Sequence, residues 1–214
     1  MHIPDGFLTL PVYSSFWALA LGFLGVSLRK TREFLGERFI PLMAVSASFI
    51  FAAQMLNFPV LGGTSGHLIG GVLAAVLLGP YAGIIVLALV LIIQCLVFQD
   101  GGITALGANI FNMAVIGAGG GYLIYAFIRR RIAENKGILF GVFIGSWLSV
   151  IAASISCSLQ LGLSGTSPFK AVFASMLFVH IFIGLGEAFI TTFVIGFILK
   201  VRPDLIYNFK KIEA

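Results

Sequence analysis

The chain has 214 residues, of which 59% are hydrophobic and only 10% are charged, and its formal net charge is +5. This composition excludes an ordinary soluble domain and indicates an integral membrane protein. Seven spans of roughly 20 residues occupy about 140 positions, which leaves no room for a soluble ATPase domain of ordinary size. In a membrane protein the basic residues are expected beside the cytoplasmic face of the bilayer, so no nucleic-acid partner is expected.

Apolar segments recur along the chain and predict seven transmembrane helices. They cover residues 12–28, 39–57, 66–79, 81–98, 108–128, 138–160 and 171–199. The third segment is short for a complete span, and Gly79-Pro80 predicts a tight turn into the fourth. The sequence therefore predicts an all-α membrane protein with a single domain, residues 1–214. Its predicted parts are an N-terminal metal-capturing segment (1–11), a seven-helix bundle (12–199) and a cytoplasmic tail (200–214).

The basic residues test this number of spans by their positions between the apolar segments. Twelve of the thirteen Lys and Arg residues follow the first, fifth or seventh segment. They are Arg29, Lys30, Arg32, Arg38, Arg129, Arg130, Arg131, Lys136, Lys200, Arg202, Lys210 and Lys211. Because cytoplasmic loops are enriched in Lys and Arg, the N-terminus is predicted outside and the C-terminus in the cytoplasm, with only Lys170 outside. The first segment has no preceding Lys or Arg, so we interpret it as a retained helix rather than a secretory signal.

The stretch MHIPDGFLTLP precedes the first predicted helix. Pro4, Gly6 and Pro11 oppose helix formation, while the apolar residues between them favour burial. At about 3.3 to 3.6 Å per residue, residues 3–11 reach up to about 30 Å. The segment is therefore predicted to be extended and able to carry Met1 from the outer surface into the bundle.

A histidine at position 2 has a particular coordination chemistry when the chain begins with a free amine. The Met1 amine, the His2 backbone nitrogen and His2 Nδ1 then form two fused chelate rings in one plane with a metal ion. Planar nitrogen sets suit Ni(II) and Cu(II), whereas Mg(II) and Ca(II) prefer oxygen and Zn(II) prefers a tetrahedron. His67, in the glycine-rich stretch GGTSGHLIGG, is the expected fourth donor. The alternatives are a solvent-exposed His2 and a His67 that only begins a helix.

The other polar residues near or within the predicted spans are also candidates for function. His180 and Glu187 are seven residues apart and share one helix face, so we expect interior pairing or contact with another helix, with a proton relay or metal passage as alternatives. Asp5 and Asp100 are expected to be turn residues that accept hydrogen bonds from loop amides.

Two asparagines and two cysteines complete the set of candidates. Asn109 and Asn112 are expected either to orient a metal-binding imidazole or to bond between helices. Cys95 and Cys157 lie in apolar runs without metal-type or redox-type spacing, which is typical of packing residues.

Several motifs are missing from the sequence. There is no GxxxxGK[ST] phosphate loop, so ATP hydrolysis that drives transport would have to be on another chain. No Ser/His/Asp, zincin or paired-carboxylate motif supports a hydrolase. No internal repeat is present, which disfavours a carrier that works alone.

Three stretches carry a resemblance to a known family: MHIPDGFL at the start, GGTSGHLIGG around His67, and FQDGGITALGANIFNMAVIG across 98–117. With these, the chain resembles the CbiM/NikM family, the substrate-binding S components of energy-coupling-factor transporters for cobalt and nickel. The resemblance implies metal binding through the Met1 amine, the backbone nitrogen and imidazole of His2, and the His67 imidazole. It also implies the cytoplasmic membrane of a prokaryote and three kinds of partner: a membrane coupling subunit, two cytoplasmic ATPases and often a small accessory membrane subunit.

The expected function is capture of Ni(II) or Co(II) at an outward-facing planar four-nitrogen site, for ATP-driven uptake by partner subunits. The chain is expected not to be an enzyme and to carry no catalytic cofactor, because the metal ion is the transported ligand. Two alternatives stay open: a stand-alone proton-coupled carrier, and a membrane enzyme that uses His180 and Glu187. The preference between nickel and cobalt also stays open.

Overall fold

The fold is described by a computed structural model that covers residues 1–33, 36, 39–61, 63–132 and 134–209. In these ranges it has seven helices, one hairpin and a final 3-10 turn, Pro203–Leu205. The helices are α1 (Leu10–Arg32), α2 (Phe39–Gln54), α3 (Gly71–Leu78), α4 (Pro80–Phe98), α5 (Leu106–Arg129), α6 (Glu134–Ser164) and α7 (Phe169–Val201). The hairpin pairs β1 (Phe58–Val60) with β2 (Thr64–Gly66) in antiparallel register. The predicted cytoplasmic residues Arg38, Lys210 and Lys211 lie outside the described ranges.

The helices agree in number and order with the seven predicted segments. Five of those described, α1, α4, α5, α6 and α7, are long and apolar enough to cross a membrane. The apolar helix α2 is shorter, with 16 residues, and α3 has only eight. The chain is thus a mostly helical, multi-pass membrane protein, and the short third segment is its shortest helix.

The hairpin is the main departure from the all-α prediction. The second segment was predicted to reach residue 57 and the third to begin at 66, but α2 ends at Gln54 and α3 begins at Gly71. Pro59 and the glycines of the intervening stretch oppose helix formation, and Pro59 sits in a two-stranded sheet in which every strand is an edge. The chain therefore forms two short strands just before His67.

The turn between α3 and α4 is as tight as Gly79-Pro80 predicted. Gly79 has φ 88°, a left-handed conformation that favours glycine, and Pro80 opens α4 where its missing N–H costs nothing. The backbone N–H of Tyr207 donates to the Val76 carbonyl at 3.0 Å. The segment after α7 therefore lies against this turn, at one end of the bundle.

The N-terminal segment lies at the opposite end of the bundle. The Thr166 hydroxyl donates to the Phe7 carbonyl at 2.7 Å, and the Thr9 N–H donates to Ser164 Oγ at 3.2 Å. Met1 and Ile3 are completely buried. The burial of Met1 and Ile3 agrees with a segment that enters the bundle, but residues 5 and 6 form a turn, with Gly6 at φ 84°, so the segment is not extended throughout.

The fifth helix changes its hydrogen-bonding pattern along its length. It is α-helical over Leu106–Ile110 and Gly121–Arg129, and a π-helix over Phe111–Gly120. Asn112 of the π-helical stretch forms a reciprocal amide pair with Gln160 of α6, at 2.7 and 2.8 Å. This buried pair ties the irregular part of α5 to α6.

Candidate metal centre

Three nitrogens at the start of the chain converge on the side chain of Ser65 in β2. The Met1 amine donates to Ser65 Oγ at 3.1 Å and also to the Ser65 carbonyl. The His2 backbone N–H donates to the same Oγ at 3.2 Å, and His2 Nδ1 lies 3.5 Å from it. The amine, amide and imidazole nitrogens of the predicted chelate thus face one oxygen atom.

The His2 imidazole is held on its other side by Gln94 of α4. His2 Nε2 lies 3.0 Å from Gln94 Oε1, an atom that can only accept, so Nε2 carries the hydrogen and Nδ1 keeps its lone pair. Asp100 Oδ1 lies 3.3 Å from that Nδ1, and the Asn57 amide donates to the other Asp100 oxygen at 2.9 Å. The side chain of Asp100 is 18% exposed against 3% for His2, so the carboxylate lies on the solvent side of the imidazole.

His67 comes next to His2, as the sequence predicted. The two rings stack with their centroids 4.6 Å apart and an interplanar angle of 23°. His67 Nδ1 donates to the Leu68 carbonyl at 2.7 Å, whereas its Nε2 is buried and has no hydrogen-bond partner among the residues that the structure describes. His67 therefore presents an unused lone pair, but the two imidazoles are stacked and not coplanar.

The turn after His67 is fixed from two helices. The Glu187 carboxylate of α7 accepts the N–H groups of Ile69 at 2.5 Å and Gly70 at 3.0 Å. The Gln54 side-chain amide of α2 donates to the Ile69 carbonyl at 2.7 Å. Gly70 has φ 74°, and a Cβ there would lie 2.8 Å from Ile50 Cγ1, so only glycine fits.

The N-terminal segment is anchored by Asn109 and Asp5. Asn109 accepts the Ile3 N–H at 2.9 Å and donates to the Ile3 carbonyl at 3.1 Å. Asp5 accepts the N–H groups of Ile103 and Thr104 and the Thr104 hydroxyl, at 3.1, 2.7 and 2.5 Å. A Cβ on Gly102 would lie 2.2 Å from the Asp5 nitrogen, so a glycine is needed there for close approach.

Burial sets the protonation of the two terminal donors. It lowers the pKa of the Met1 amine from 8.0 to about 5 and, together with the neighbouring amine, lowers the pKa of His2 from 6.5 to about 3. Burial raises the pKa of the Asp100 carboxyl. Near neutral pH, the amine and the imidazole are therefore uncharged and keep the lone pairs that a metal ion requires.

Several sequence expectations took a different form. His180 and Glu187 do not bond to each other, because His180 Nδ1 donates to Met176 of its own helix while Glu187 holds the turn after His67. The expected pairing of these two side chains is therefore wrong, and the interior contact of Glu187 is with a loop and not with another helix. Asp5 accepts loop amides as expected, but the Asp100 carboxylate contacts two side chains instead, the Asn57 amide and the uncharged His2 ring.

Neither asparagine bonds to an imidazole. Asn109 binds the Ile3 backbone, and Asn112 bonds to Gln160 of α6, which is the interhelical contact expected as its alternative. The amide that contacts His2 Nε2 is that of Gln94, which the sequence analysis missed. The available signal was an amide side chain inside an otherwise apolar run, which is as unusual there as a histidine. Cys95 and Cys157 are buried and unpaired, in agreement with a packing role.

A metal site made of side chains alone has no support in the described ranges. No group of three or more His, Cys, Asp or Glu side chains within them is placed to hold a metal ion. The donors that do converge include a chain terminus and a backbone nitrogen. The candidate centre is therefore Met1, His2 and His67, with Ser65, Gln94 and Asp100 around them.

The family model described as the cobalt uptake substrate-specific transmembrane region, CbiM, matches residues 2–205. The chain belongs to the CbiM family. A protein of Archaeoglobus fulgidus with the provisional name of fused nickel transport protein NikMN is 44% identical over 208 residues, which cover 96% of this chain and 68% of that protein. The cobalt transport protein CbiM of Kyrpidia tusciae is 34% identical over 218 residues, which cover 96% of this chain and 86% of the relative.

Solved structures agree with this family. The crystal structure of a truncated transition metal transporter is 34% identical and superimposes with a TM-score of 0.87, over 94% of this chain and 99% of that one. Membership makes the chain a component of cobalt or nickel transport. It also disfavours the enzyme alternative, because these relatives are named as transport proteins.

Proposed function

We propose that the chain is the substrate-specific S component of an energy-coupling-factor importer and captures Ni(II) or Co(II) from outside through a planar four-nitrogen site. The observation that carries this proposal is the convergence of the Met1 amine, the His2 backbone nitrogen and His2 Nδ1 beside the unpartnered Nε2 of His67. Planar nitrogen donors suit Ni(II), and both metals are named among the relatives.

Metal binding replaces the hydrogen bonds that these nitrogens make to Ser65. The neutral amine and His2 Nδ1 contribute lone pairs, and the His2 amide contributes its nitrogen after losing its proton. His67 leaves the stack with His2 and brings Nε2 into the plane. Gln94 and the Leu68 carbonyl keep the remaining ring N–H groups, which fixes both tautomers and increases the basicity of the donors.

Transport requires partners in this proposal. A membrane coupling subunit, two cytoplasmic ATPases and a small accessory membrane subunit supply the movement and the ATP hydrolysis for which this sequence has no phosphate loop. The chain lies in the cytoplasmic membrane of a prokaryote with its metal site toward the outside. The distribution of Lys and Arg supports that orientation.

The decisive experiment is a titration of the purified chain, with its native N-terminus and a C-terminal tag, with Ni(II) and Co(II). We expect binding near one metal per chain, lost in His67→Ala and in a variant with one alanine inserted between Met1 and His2. His180→Ala is the matched control, because its ring bonds within its own helix, and it should still bind. Binding that survives the insertion would refute the N-terminal site.

A second experiment separates the S component from a stand-alone carrier. Vesicles that contain only this chain should bind the metal without accumulating it, and accumulation should begin when the coupling subunit, ATPases and ATP are added. Uptake by the chain alone, driven by a proton gradient, would favour the carrier.

A further inference from the structure

The Asp100 carboxylate is not one of the chelate donors, yet it lies against one of them. Its Oδ1 is 3.3 Å from His2 Nδ1, and its Oδ2 accepts a hydrogen bond from the Asn57 amide at 2.9 Å. Because Nε2 carries the hydrogen of the His2 ring, no ring proton joins Nδ1 to the carboxylate. Two groups with lone pairs therefore face each other, an arrangement that a cation stabilises.

The distance between Asp100 and His2 also limits how far the carboxylate can be from a bound metal ion. A metal ion lies about 2 Å from the imidazole nitrogen that binds it. With the side chains as found, the ion is then at most about 5.3 Å from Asp100 Oδ1, whatever the arrangement of the other donors. At that range opposite charges attract each other appreciably in a partly buried site.

The captured ion needs a compensating negative charge. Ni(II) and Co(II) carry two positive charges, the neutral amine and imidazoles carry none, and the His2 amide supplies one negative charge after losing its proton. The occupied chelate would thus keep a net positive charge in surroundings that are almost completely buried, since Met1, His2 and His67 are 0, 4 and 1% exposed. A buried charge without a partner is costly.

Two other described carboxylates, Asp5 and Glu187, are already committed to backbone groups. Both oxygens of Asp5 bond to the loop at residues 103–104, and both oxygens of Glu187 bond to the turn that it holds. Burial lowers the pKa of the Met1 amine, and the charge of Asp100 acts against this shift. The field of the Asp100 carboxylate therefore reaches the chelate.

We propose that Asp100 is the counter-ion of the captured metal and neutralises the chelate without becoming a ligand. This inference rests on the proposed function, since it needs the chelate of Met1 and His2. The four nitrogens complete the planar set, and Asp100 compensates the remaining positive charge from the solvent side of the His2 ring. Because the attraction is between charges, it is equal for Ni(II) and Co(II).

The test is the metal affinity of Asp100→Asn, which removes the charge and nearly keeps the shape. We expect the dissociation constants for Ni(II) and Co(II) to rise by the same factor, at least about tenfold, and Asp100→Glu to recover most of the loss. Asp204→Asn is the matched control, because it also removes one negative charge, but beside Arg202 at the opposite end of the bundle. Unchanged affinity in Asp100→Asn, unequal losses for the two ions, or an equal loss in Asp204→Asn would overturn the counter-ion.

Spectroscopy separates a counter-ion from a ligand or a positioning group. The visible absorption band of planar Ni(II) should keep its position in metal-saturated Asp100→Asn, because charge compensation leaves the donors unchanged. A displaced band would overturn the proposal, since Asp100 would then set the geometry. An oxygen ligand in the X-ray absorption spectrum of the wild-type Ni(II) form would overturn it even if Asp100→Asn failed to fold.

The variant with alanine inserted after Met1 tests the underlying site. If the insertion leaves binding intact, the proposed function fails. Binding that is lost in the insertion variant but unchanged in Asp100→Asn removes only the counter-ion.

Discussion

At the level of a single side chain, Gln94 orients the His2 ring of the candidate centre. Its Oε1 accepts the hydrogen of His2 Nε2 and so leaves Nδ1 free to bind a metal ion. Groups that orient a metal-binding imidazole typically change metal affinity by about 10- to 100-fold when removed. We therefore expect Gln94→Leu to raise the dissociation constant for Ni(II) by about that factor, as measured by calorimetric titration.

Gln160→Leu is the control for this prediction. Gln160 is also a fully buried glutamine, but it bonds to Asn112 and Ser156 and not to an imidazole. It should lower thermal stability and leave the dissociation constant unchanged. Wild-type affinity in Gln94→Leu would show that the His2 tautomer does not depend on Gln94.

The buried terminus also predicts an unusual pH dependence. The pKa of the Met1 amine is about 5 and that of His2 about 3, so neither group must lose a proton when metal binds above pH 5. Between pH 8 and 6 the affinity should follow only the single proton of the His2 amide, and below pH 5 it should fall more steeply as the amine becomes protonated. Titrations across this range, with the released protons counted, would check this.

An exposed amine and imidazole would behave differently, with extra protons released throughout the range from pH 8 to 6.

The lowered pKa values of the Met1 amine and of His2 also affect the stability of the fold. Between the folded and unfolded pKa values the unfolded chain binds more protons than the folded one. The stability of the metal-free protein should therefore rise with pH from about 5 to 8, the values for the Met1 amine. A stability that falls over this window would contradict the burial of the amine.

The residues that converge in the candidate centre could be predicted from the sequence, but their surroundings could not. A histidine at position 2 and a glycine-rich loop around His67 indicate their chemistry by residue type alone. Ser65 and Gln94 have no such signature, because a serine near glycines and a glutamine in an apolar helix are compatible with many roles. Ser65 lies 63 positions from His2 along the chain and Gln94 lies 92 positions from it, so only the fold brings them together.

At the scale of elements, α7 controls the loop that carries His67. Glu187 accepts hydrogen bonds from two successive backbone N–H groups of that loop. Removing the carboxylate leaves both N–H groups without their acceptor, which costs free energy. We expect Glu187→Ala to free the loop and to raise the dissociation constant for Ni(II) by about 10- to 100-fold, with a smaller effect for Glu187→Gln. Calorimetric titration of folded protein would measure both.

Ser175→Ala is the matched variant on the same helix. Ser175 Oγ donates to the Leu61 carbonyl at 2.9 Å, so it joins α7 to the same connection but away from His67. Its loss should leave metal affinity unchanged. If both variants reduced affinity equally, the effect would come from the general attachment of α7 and not from the turn after His67.

The helices themselves were largely predictable, since long apolar runs define α4, α6 and α7 with little ambiguity. The hairpin of β1 and β2 was not, because three-residue strands are too short for an alternating pattern to be recognised. The π-helical stretch of α5 was also missed. Within this stretch Asn112 bonds to Gln160 of α6, a contact 48 positions apart that a local sequence pattern does not reveal.

For the whole molecule, the charge distribution predicts the orientation in the membrane. Lys170 lies in the first turn of α7 and Lys136 in the first turn of α6, and both are exposed. In intact cells, a membrane-impermeant thiol reagent should label Lys170→Cys at once, and Lys136→Cys only after the membrane is permeabilised. The native Cys95 and Cys157 are buried, which keeps the background low.

The opposite labelling pattern would mean that the orientation is the reverse of the predicted one, with the candidate centre toward the cytoplasm. Equal labelling of the two variants in intact cells would contradict a membrane crossing by α6. The pair is matched, because each variant replaces one exposed lysine near the start of a long helix.

The hydrogen bond between Thr166 and Phe7 joins residues 159 positions apart. During synthesis, Phe7 is therefore made well before Thr166, its hydrogen-bond partner. The segment that carries Met1 and His2 gains its contacts with the end of α6 and the loop after it only when those residues have been made. A product cut short before α6 would contain the residues of the candidate centre but not the Thr166 hydroxyl that bonds to their segment at Phe7.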